Sequence, residues 1–268
     1  MSENQTRKTC FESDGYLIVE GILNDDELTA CQEEIRRLHE RFAEWEANGD
    51  PRAQSFQREP YAKEESHNGL PVLRKIEGTL DVSDIFKDLA AHPKLVEILT
   101  ELIGPDILQF RSTLMLKPAF HGSVHGFHQD SAYWPMEPPT LVTLSIALTD
   151  STTENGCFRI IPESHKWGLQ EWGRIARDQD EALTDRKDID TSNYMEVPLK
   201  AGSALFFHSL MVHGSGPNTT QHARNTALYA YFPPSVHLKP IVEGKPYTKT
   251  FRVINGLGGK ESLVMESS

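Results

Sequence analysis

Ala204-Leu205-Phe206-Phe207-His208-Ser209-Leu210-Met211-Val212-His213-Gly214-Ser215-Gly216-Pro217 is a hydrophobic strand-like run that closes on a histidine and passes into a tight glycine- and proline-bearing turn. Short apolar or alternating runs of the same kind occupy residues 107–116, 141–148, 157–161, 194–199 and 226–232, separated by turn residues. Several short strands so spaced predict a β-sandwich or barrel. Helical signals gather at the front of the chain. Asp14-Gly15-Tyr16-Leu17-Ile18-Val19 reads as a turn feeding a short strand, and after it the period changes: Leu28, Cys31, Ile35, Leu38 and Phe42 fall on one helical face, with Asn24 or Asp25 available as N-cap. A second helix is expected over residues 93–103, stopped by Gly104-Pro105. Residues 46–71 are polar, carry Gly49, Pro51 and Pro60, show no sustained period and read as a long loop. Residues 168–193 form a charged insertion with Arg174, Arg177, Asp178, Asp180 and Asp185; a solvated loop is the plainer reading and a substrate lid the sharper one.

At 268 residues the chain can bury one substantial core, and length permits one large β domain or two small ones. No composition break divides it, so a single domain over residues 1–268 is expected, with its core in roughly 10–240. Hydrophobic residues make up 38% and charged residues 25%, the balance of a globular protein rather than a disordered one. No apolar run approaches the length of a membrane span, and residues 1–9 lack the apolar stretch of a secretory signal, so a cytoplasmic setting is expected. The net charge of −12 disfavours nucleic acid and anionic membrane as partners, since both are polyanions, and does not identify a substrate. Cys10, Cys31 and Cys157 are scattered without CxxC spacing, which argues against a thiolate metal site or a disulfide framework.

The most informative chemistry lies in His125-Gly126-Phe127-His128-Gln129-Asp130-Ser131-Ala132-Tyr133-Trp134. Residues two apart on a strand project from one face, so His128 and Asp130 can present an imidazole and a carboxylate side by side. His213, at the end of its hydrophobic run, is the best third ligand. Two histidines and one carboxylate on one face of an octahedral ion leave three positions open, the arrangement of iron(II) oxygenases. A bidentate keto acid can take two of those positions and O2 the last. The far carboxylate of such a diacid would be buried, which is costly unless it is paired. Arg224 suits that task because its planar fork binds a carboxylate through two parallel bonds. Thr226 shares the face of Arg224, and Ser215 stands two residues past His213, so both can add hydroxyl donors.

These residues resemble the phytanoyl-CoA hydroxylase family of iron(II)- and 2-oxoglutarate-dependent dioxygenases. The matching pieces are His128-Gln129-Asp130, Tyr133 with Pro135, Glu154-Asn155-Gly156-Cys157, Ile161-Pro162-Glu163-Ser164-His165-Lys166, and His213-Gly214-Ser215-Gly216-Pro217-Asn218 with Arg224. The resemblance extends to residues 11–21 and the helix after them. It implies a mainly β double-stranded β-helix (a jelly roll, cupin-like) with N-terminal helices packed on one side. It further implies Fe(II) held by His128, Asp130 and His213, and 2-oxoglutarate bound by Arg224 and Ser215. Lys75 in Leu73-Arg74-Lys75-Ile76 matches the setting of a lysine that contacts the cosubstrate in relatives. Where some relatives place a methionine and a tryptophan against 2-oxoglutarate, this chain is expected to place Thr113 and Ile146. Related halogenases replace the carboxylate ligand by a small residue; Asp130 is present, so hydroxylation or another oxidation is favoured.

Competing roles exist for several residues. His121 and His125 have the spacing of a helical zinc pair, but Pro118, Gly122 and Gly126 make a helix improbable and a loop near the site mouth the better account. His208 lies an odd number of residues from His213, which makes it structural rather than a ligand. His165 reads as a structural loop residue. Tyr133 and Trp134 are either core aromatics or substrate-facing. The function expected is oxidation of an unactivated C–H bond in a small organic, acyl or natural-product substrate, with release of succinate and CO2. The rivals are a cupin-like metal-dependent hydrolase or isomerase, which leaves Arg224 without a purpose, and a non-catalytic 2-oxoglutarate-binding module.

Overall fold

The computed structural model describes residues 3–62, 64, 66–67, 69–172 and 189–268. Its centre is a nine-stranded antiparallel sheet in which Tyr16–Val19, Ala204–His208, Val142–Ala147, Arg224–Phe232 and Ile107–Lys117 lie side by side. The long Ile107–Lys117 strand divides its outer edge. One end pairs with Leu73–Glu77 and through it with Phe56–Arg58, and the other with the hairpin Thr248–Asn255 and Ser262–Glu266. A four-stranded sheet faces the large one, in the order Met195–Val197, Phe158–Ile160, His213–Ser215, His125–His128. The two sheets form the jelly roll that the family resemblance implies.

Both faces of the large sheet are covered, and this explains its nearly continuous apolar strands. Phe206, Leu144 and Ile146 turn outward onto the helices, whereas Leu205, Phe207 and Ala147 turn inward against Phe158, Ile160 and Val197 of the small sheet. The helix Asp25–Asn48 begins as expected. Asn24 Oδ1 accepts from the Glu27 amide and Glu27 Oε2 accepts from the Asn24 amide, both at 2.9 Å, a reciprocal cap that satisfies two otherwise orphaned donors. Cys31, Ile35, Leu38, Phe42 and Trp45 bury its apolar stripe. Pro93–Ile103 is helical with the expected bounds. Two sheet tyrosines reach the short helix Asp84–Leu89 and its end: Tyr229 donates its hydroxyl to the Phe86 carbonyl at 2.9 Å and Tyr231 donates to the Ala90 carbonyl at 2.7 Å.

Residues 46–71 differ from the loop expected of them. The first helix runs on to Asn48, a 3-10 turn follows at Pro51–Ser55, and Phe56–Arg58 joins the large sheet. A single apolar side chain drives this: Phe56 stacks on Phe42 with ring centroids 5.1 Å apart and meets Trp45 edge-on at 5.7 Å. One residue makes no period. A helix at Glu3–Asp14 and the 248–266 hairpin were likewise without a clear signal, the hairpin being anchored by the buried Phe251. Most of the charged insertion, including Arg174, Arg177, Asp178, Asp180 and Asp185, lies outside the described residues. Among the described residues no helix is long and apolar enough to cross a membrane.

Tyr231→Phe removes the hydroxyl that donates to the buried Ala90 carbonyl. It is expected to cost about 1–2 kcal/mol, read as a lower urea midpoint at unchanged slope; an unchanged midpoint would show that the helix is not held this way.

Candidate metal centre

The two histidines meet because the small sheet pairs them. His213 stands directly across from His128 in the antiparallel register, with ring centroids 4.3 Å apart. This differs in two respects from the sequence expectation. His213 opens the strand His213–Ser215 rather than closing the preceding hydrophobic one, which ends at His208; residues 209–212 carry the chain from one sheet to the other. Asp130 is not on a strand with His128. The strand stops at His128 and Asp130 opens a one-turn 3-10 helix, Asp130–Ala132, so the turn rather than the pleat brings the carboxylate round.

The outcome is a convergent set. Asp130 Oδ1 lies 3.7 Å from His128 Nε2 and 3.8 Å from His213 Nε2, and one ligand atom from each residue lies within 4.8 Å of the other two. Each imidazole is oriented from behind: His128 Nδ1 is 2.9 Å from the Gly126 carbonyl and His213 Nδ1 is 2.9 Å from the Met211 carbonyl. A carbonyl only accepts, so each Nδ1 carries the proton and each Nε2 turns a lone pair toward the centre. Thr143 donates its hydroxyl to Asp130 Oδ2 at 2.9 Å, which leaves Oδ1 for the imidazoles. Burial works to raise the Asp130 pKa, but His213, His128 and the Thr143 bond outweigh it and bring the carboxyl down to about 2. Burial and the neighbouring His128 push His213 down to about 4, against the pull of Asp130. A carboxylate beside a neutral imidazole is the state in which such side chains bind metal.

Gln129, between the two ligands, points the other way and is fully buried. Its amide donates to the carbonyls of Leu210 (2.7 Å) and Gly168 (3.0 Å), and its oxygen accepts from the Gln170 amide (2.8 Å) and Trp172 Nε1 (2.9 Å). It therefore ties the His128 segment to the one that delivers His213. Gly214 allows the two ligand strands to approach, since a Cβ there would sit 2.7 Å from the His125 carbonyl.

A pocket of about 700 Å³ opens over the triad. Arg224, Ser215, Lys75, Thr113, Tyr133 and Trp134 all line it, as expected. Arg224 is fully buried at the start of its strand. Its Nη2 donates to the Gly156 carbonyl at 2.7 Å and its Nη1 to Thr226 Oγ1 at 3.2 Å, while Nε has no hydrogen-bond partner among the described residues. Thr226 thus reaches the site only through Arg224. Gly156 holds φ 83°, and a Cβ on it would collide with the Gly216 carbonyl, so glycine is required where the guanidinium is anchored. Burial lowers the Arg224 pKa to about 10, which leaves it charged. A buried cation with an unused donor is stabilised by an anion. The residues present therefore fit both a metal ion and a carboxylate.

Lys117 went unnoticed in the sequence. It lies across from Arg224 in the sheet, is buried, and donates to the Gly216 carbonyl at 2.7 Å and to the Ser123 carbonyl. Extending the 107–116 strand by one residue and applying its alternation would have found it, with Thr113 and Met115 on the same face. Thr143 carried no signal, being a single polar residue in an apolar run, and nothing local marked Gln129 as buried. Ile146 does not face the pocket: one step of the pleat turns it onto the helices, and Thr143 and Ser145 occupy the inner face. Lys75 lines the pocket with its ammonium paired to Glu77. His208 stays outside the triad and accepts from the Leu210 amide at 3.0 Å. His125, expected in a loop near the site mouth, instead opens the strand that ends at His128 and lines the pocket.

Comparisons with known proteins place the chain in a family. The profile of the phytanoyl-CoA dioxygenase (PhyH) family matches residues 11–226. Ectoine dioxygenase of Streptomyces anulatus is 28% identical over 239 residues, covering 82% of this chain and 75% of that one. A probable phytanoyl-CoA dioxygenase of Caenorhabditis elegans is 27% identical over 225 residues, covering 80% and 70%. The fold is shared with the epimerase SnoN, solved with Fe3+, alpha-ketoglutarate and nogalamycin RO, at a TM-score of 0.66 and 24% identity over 88% of this chain and 86% of that one. The family profile takes in all three triad residues and Arg224, and the chain belongs to the phytanoyl-CoA dioxygenase family of iron(II)- and 2-oxoglutarate-dependent dioxygenases.

Proposed function

We propose that His128, Asp130 and His213 hold the ferrous ion of this dioxygenase and that Arg224 binds the distal carboxylate of 2-oxoglutarate, with the oxidation directed to an unactivated C–H bond of a small organic substrate. The single observation that carries this reading is the buried Arg224 guanidinium beside the triad with its Nε unfilled. A hydrolase or isomerase on the same three ligands gives that donor no partner. When bound, ferrous iron supplies the redox chemistry that couples decarboxylation of 2-oxoglutarate, to succinate and CO2, with transfer of oxygen from O2 to the substrate.

The chain's own part is positional and electrostatic. His128, Asp130 and His213 would hold the ion from one side, with the pocket on the other. Ser215 and Thr113 offer hydroxyls on the pocket wall, Thr226 braces the guanidinium, and Lys117 lies across from Arg224 in the sheet. Lys75 is the weaker cosubstrate contact, since Glu77 already engages its ammonium. Tyr133 and Trp134 wall the side where a substrate would lie. No side chain is needed as general acid or base. We take residues 1–268 as one catalytic domain acting in the cytoplasm.

Asp130→Ala is expected to abolish succinate formation under Fe(II), 2-oxoglutarate and O2; an unaffected rate would remove Asp130 from the metal shell. Arg224→Gln should weaken 2-oxoglutarate by about 100-fold, the loss of roughly 2–3 kcal/mol of charge-assisted hydrogen bonding. Calorimetry on the air-free, Mn(II)-loaded protein reads this directly, and an unchanged dissociation constant would contradict the role given to Arg224.

A further inference from the structure

The pocket has a second cationic pole that the cosubstrate leaves unused. Alternate residues of the Ile107–Lys117 strand face the pocket, so Lys117 and Arg111 stand at opposite ends of one row, their Cα atoms about 20 Å apart by strand geometry. Lys117 is the neighbour of Arg224. Arg111 instead lies across from Ala230, whose other neighbour is Thr143, the residue that braces Asp130. It is thus on the Asp130 side of the triad. Its side chain is 37% exposed at the mouth, whereas Arg224 is sealed inside.

The charges around Arg111 are unbalanced. Its Nη2 donates to Glu77 Oε1 at 2.7 Å, and the Lys75 ammonium pairs with the same oxygen, so one carboxylate serves two cations. Nε of Arg111 donates to Thr113 Oγ1 at 3.1 Å, and Nη1 has no hydrogen-bond partner among the described residues. The C-terminal hairpin contributes Lys249, whose ammonium sits 4.8 Å from the centre of the Phe110 ring, next along the strand from Arg111. The whole pocket tells the same way. Leaving aside buried Lys117, whose charged form burial and Arg224 work against, Arg74, Lys75, Arg111 and Arg224 line it against Glu59, Glu77 and Asp130, four cations to three carboxylates in a chain of net charge −12. A divalent metal and a doubly charged keto diacid cancel one another, so the surplus remains. Uncompensated cations in a partly desolvated pocket select an anion. Trp134, packed on Phe110 at 4.9 Å, and Tyr133 offer apolar surface beside this pole.

We propose that Arg111, with Lys249 close by, binds a carboxylate of the substrate, which is therefore a small organic acid whose apolar body lies along Trp134 and Tyr133. This rests on Arg224 marking the cosubstrate end of the pocket. The guanidinium plane presents Nη1 and Nη2 together, the fork that matches a carboxylate, and a cavity of about 700 Å³ shared with the cosubstrate suits a small acid.

Calorimetric titration tests this on full-length protein loaded with Mn(II), kept air-free and saturated with 2-oxoglutarate so that the metal and Arg224 are already engaged. The probes are hexanoate and 3-phenylpropanoate, each against its primary amide. At least one acid is expected to bind about tenfold or more tighter than its amide, and Arg111→Gln to erase that preference while the dissociation constant of 2-oxoglutarate stays within about threefold. Arg111→Lys, which keeps a charge without the fork, is expected to weaken the acid by about three- to tenfold and serves if the glutamine variant does not fold. No acid preference in the wild type, or a preference untouched in either variant, overturns the assignment while leaving the cosubstrate site intact. Failure of 2-oxoglutarate itself to bind the wild type would overturn the underlying reading, and this inference with it.

Discussion

The antiparallel pairing of His128 with His213 is the constraint on which the site depends. Side chains on a strand alternate, so a slip of one residue in that pairing would send one imidazole to the opposite face. Several local features pin the register. Gly214 permits the close approach of the two strands, the Gly126 and Met211 carbonyls orient the two rings, and buried Gln129 bonds to residues before His213 and after Trp167. The large sheet, packed on its far side by helices, gives the small sheet a rigid floor through Leu205, Phe207 and Ala147. Thr143 rises from that floor to fix the Asp130 carboxylate. The metal centre is thus a junction of both sheets and one turn.

Electrostatics then divide the pocket into functions. Burying Arg224 and Lys117 side by side is unfavourable by itself, and the carbonyls of Gly156, Gly216 and Ser123 offset it only in part. Burial and the neighbouring Arg224 push the Lys117 ammonium well below its ordinary pKa, whereas Arg224 stays charged and is ready for an anion before one arrives. At the mouth the balance is looser and wetter. Arg111, Lys75 and Glu77 keep a net positive charge in reach of solvent, where it can attract and orient an acid. A strongly acidic chain therefore encloses a cationic pocket, and its overall charge says nothing about what enters.

Periodic and conjunctive signals were legible in the sequence. The helix after Asn24 and the helix at Pro93–Ile103 follow from apolar spacing and caps, and Ala204–His208 from its apolar composition. The triad followed from residue types whose joint occurrence is rare. What escaped was fixed by single contacts: Phe56 stacking on Phe42, Phe251 anchoring the last hairpin, Gln129 bonding to four distant groups. None of these leaves a pattern in its own neighbourhood. Asp130 and His213 converge with His128 although their backbone differs from the strands expected of them, because a turn and a sheet crossing can deliver the same side chains as an extended strand. Ile146 was misplaced for the opposite reason, since in a strand buried on both faces composition does not say which face is which.

The most direct test of the convergent triad is anomalous diffraction at the iron edge from crystals grown air-free with Fe(II). The account predicts one strong peak within bonding distance of His128 Nε2, His213 Nε2 and Asp130. A peak at other side chains, such as His165 and His208, or the three predicted ligands turned away from a common centre, would contradict it.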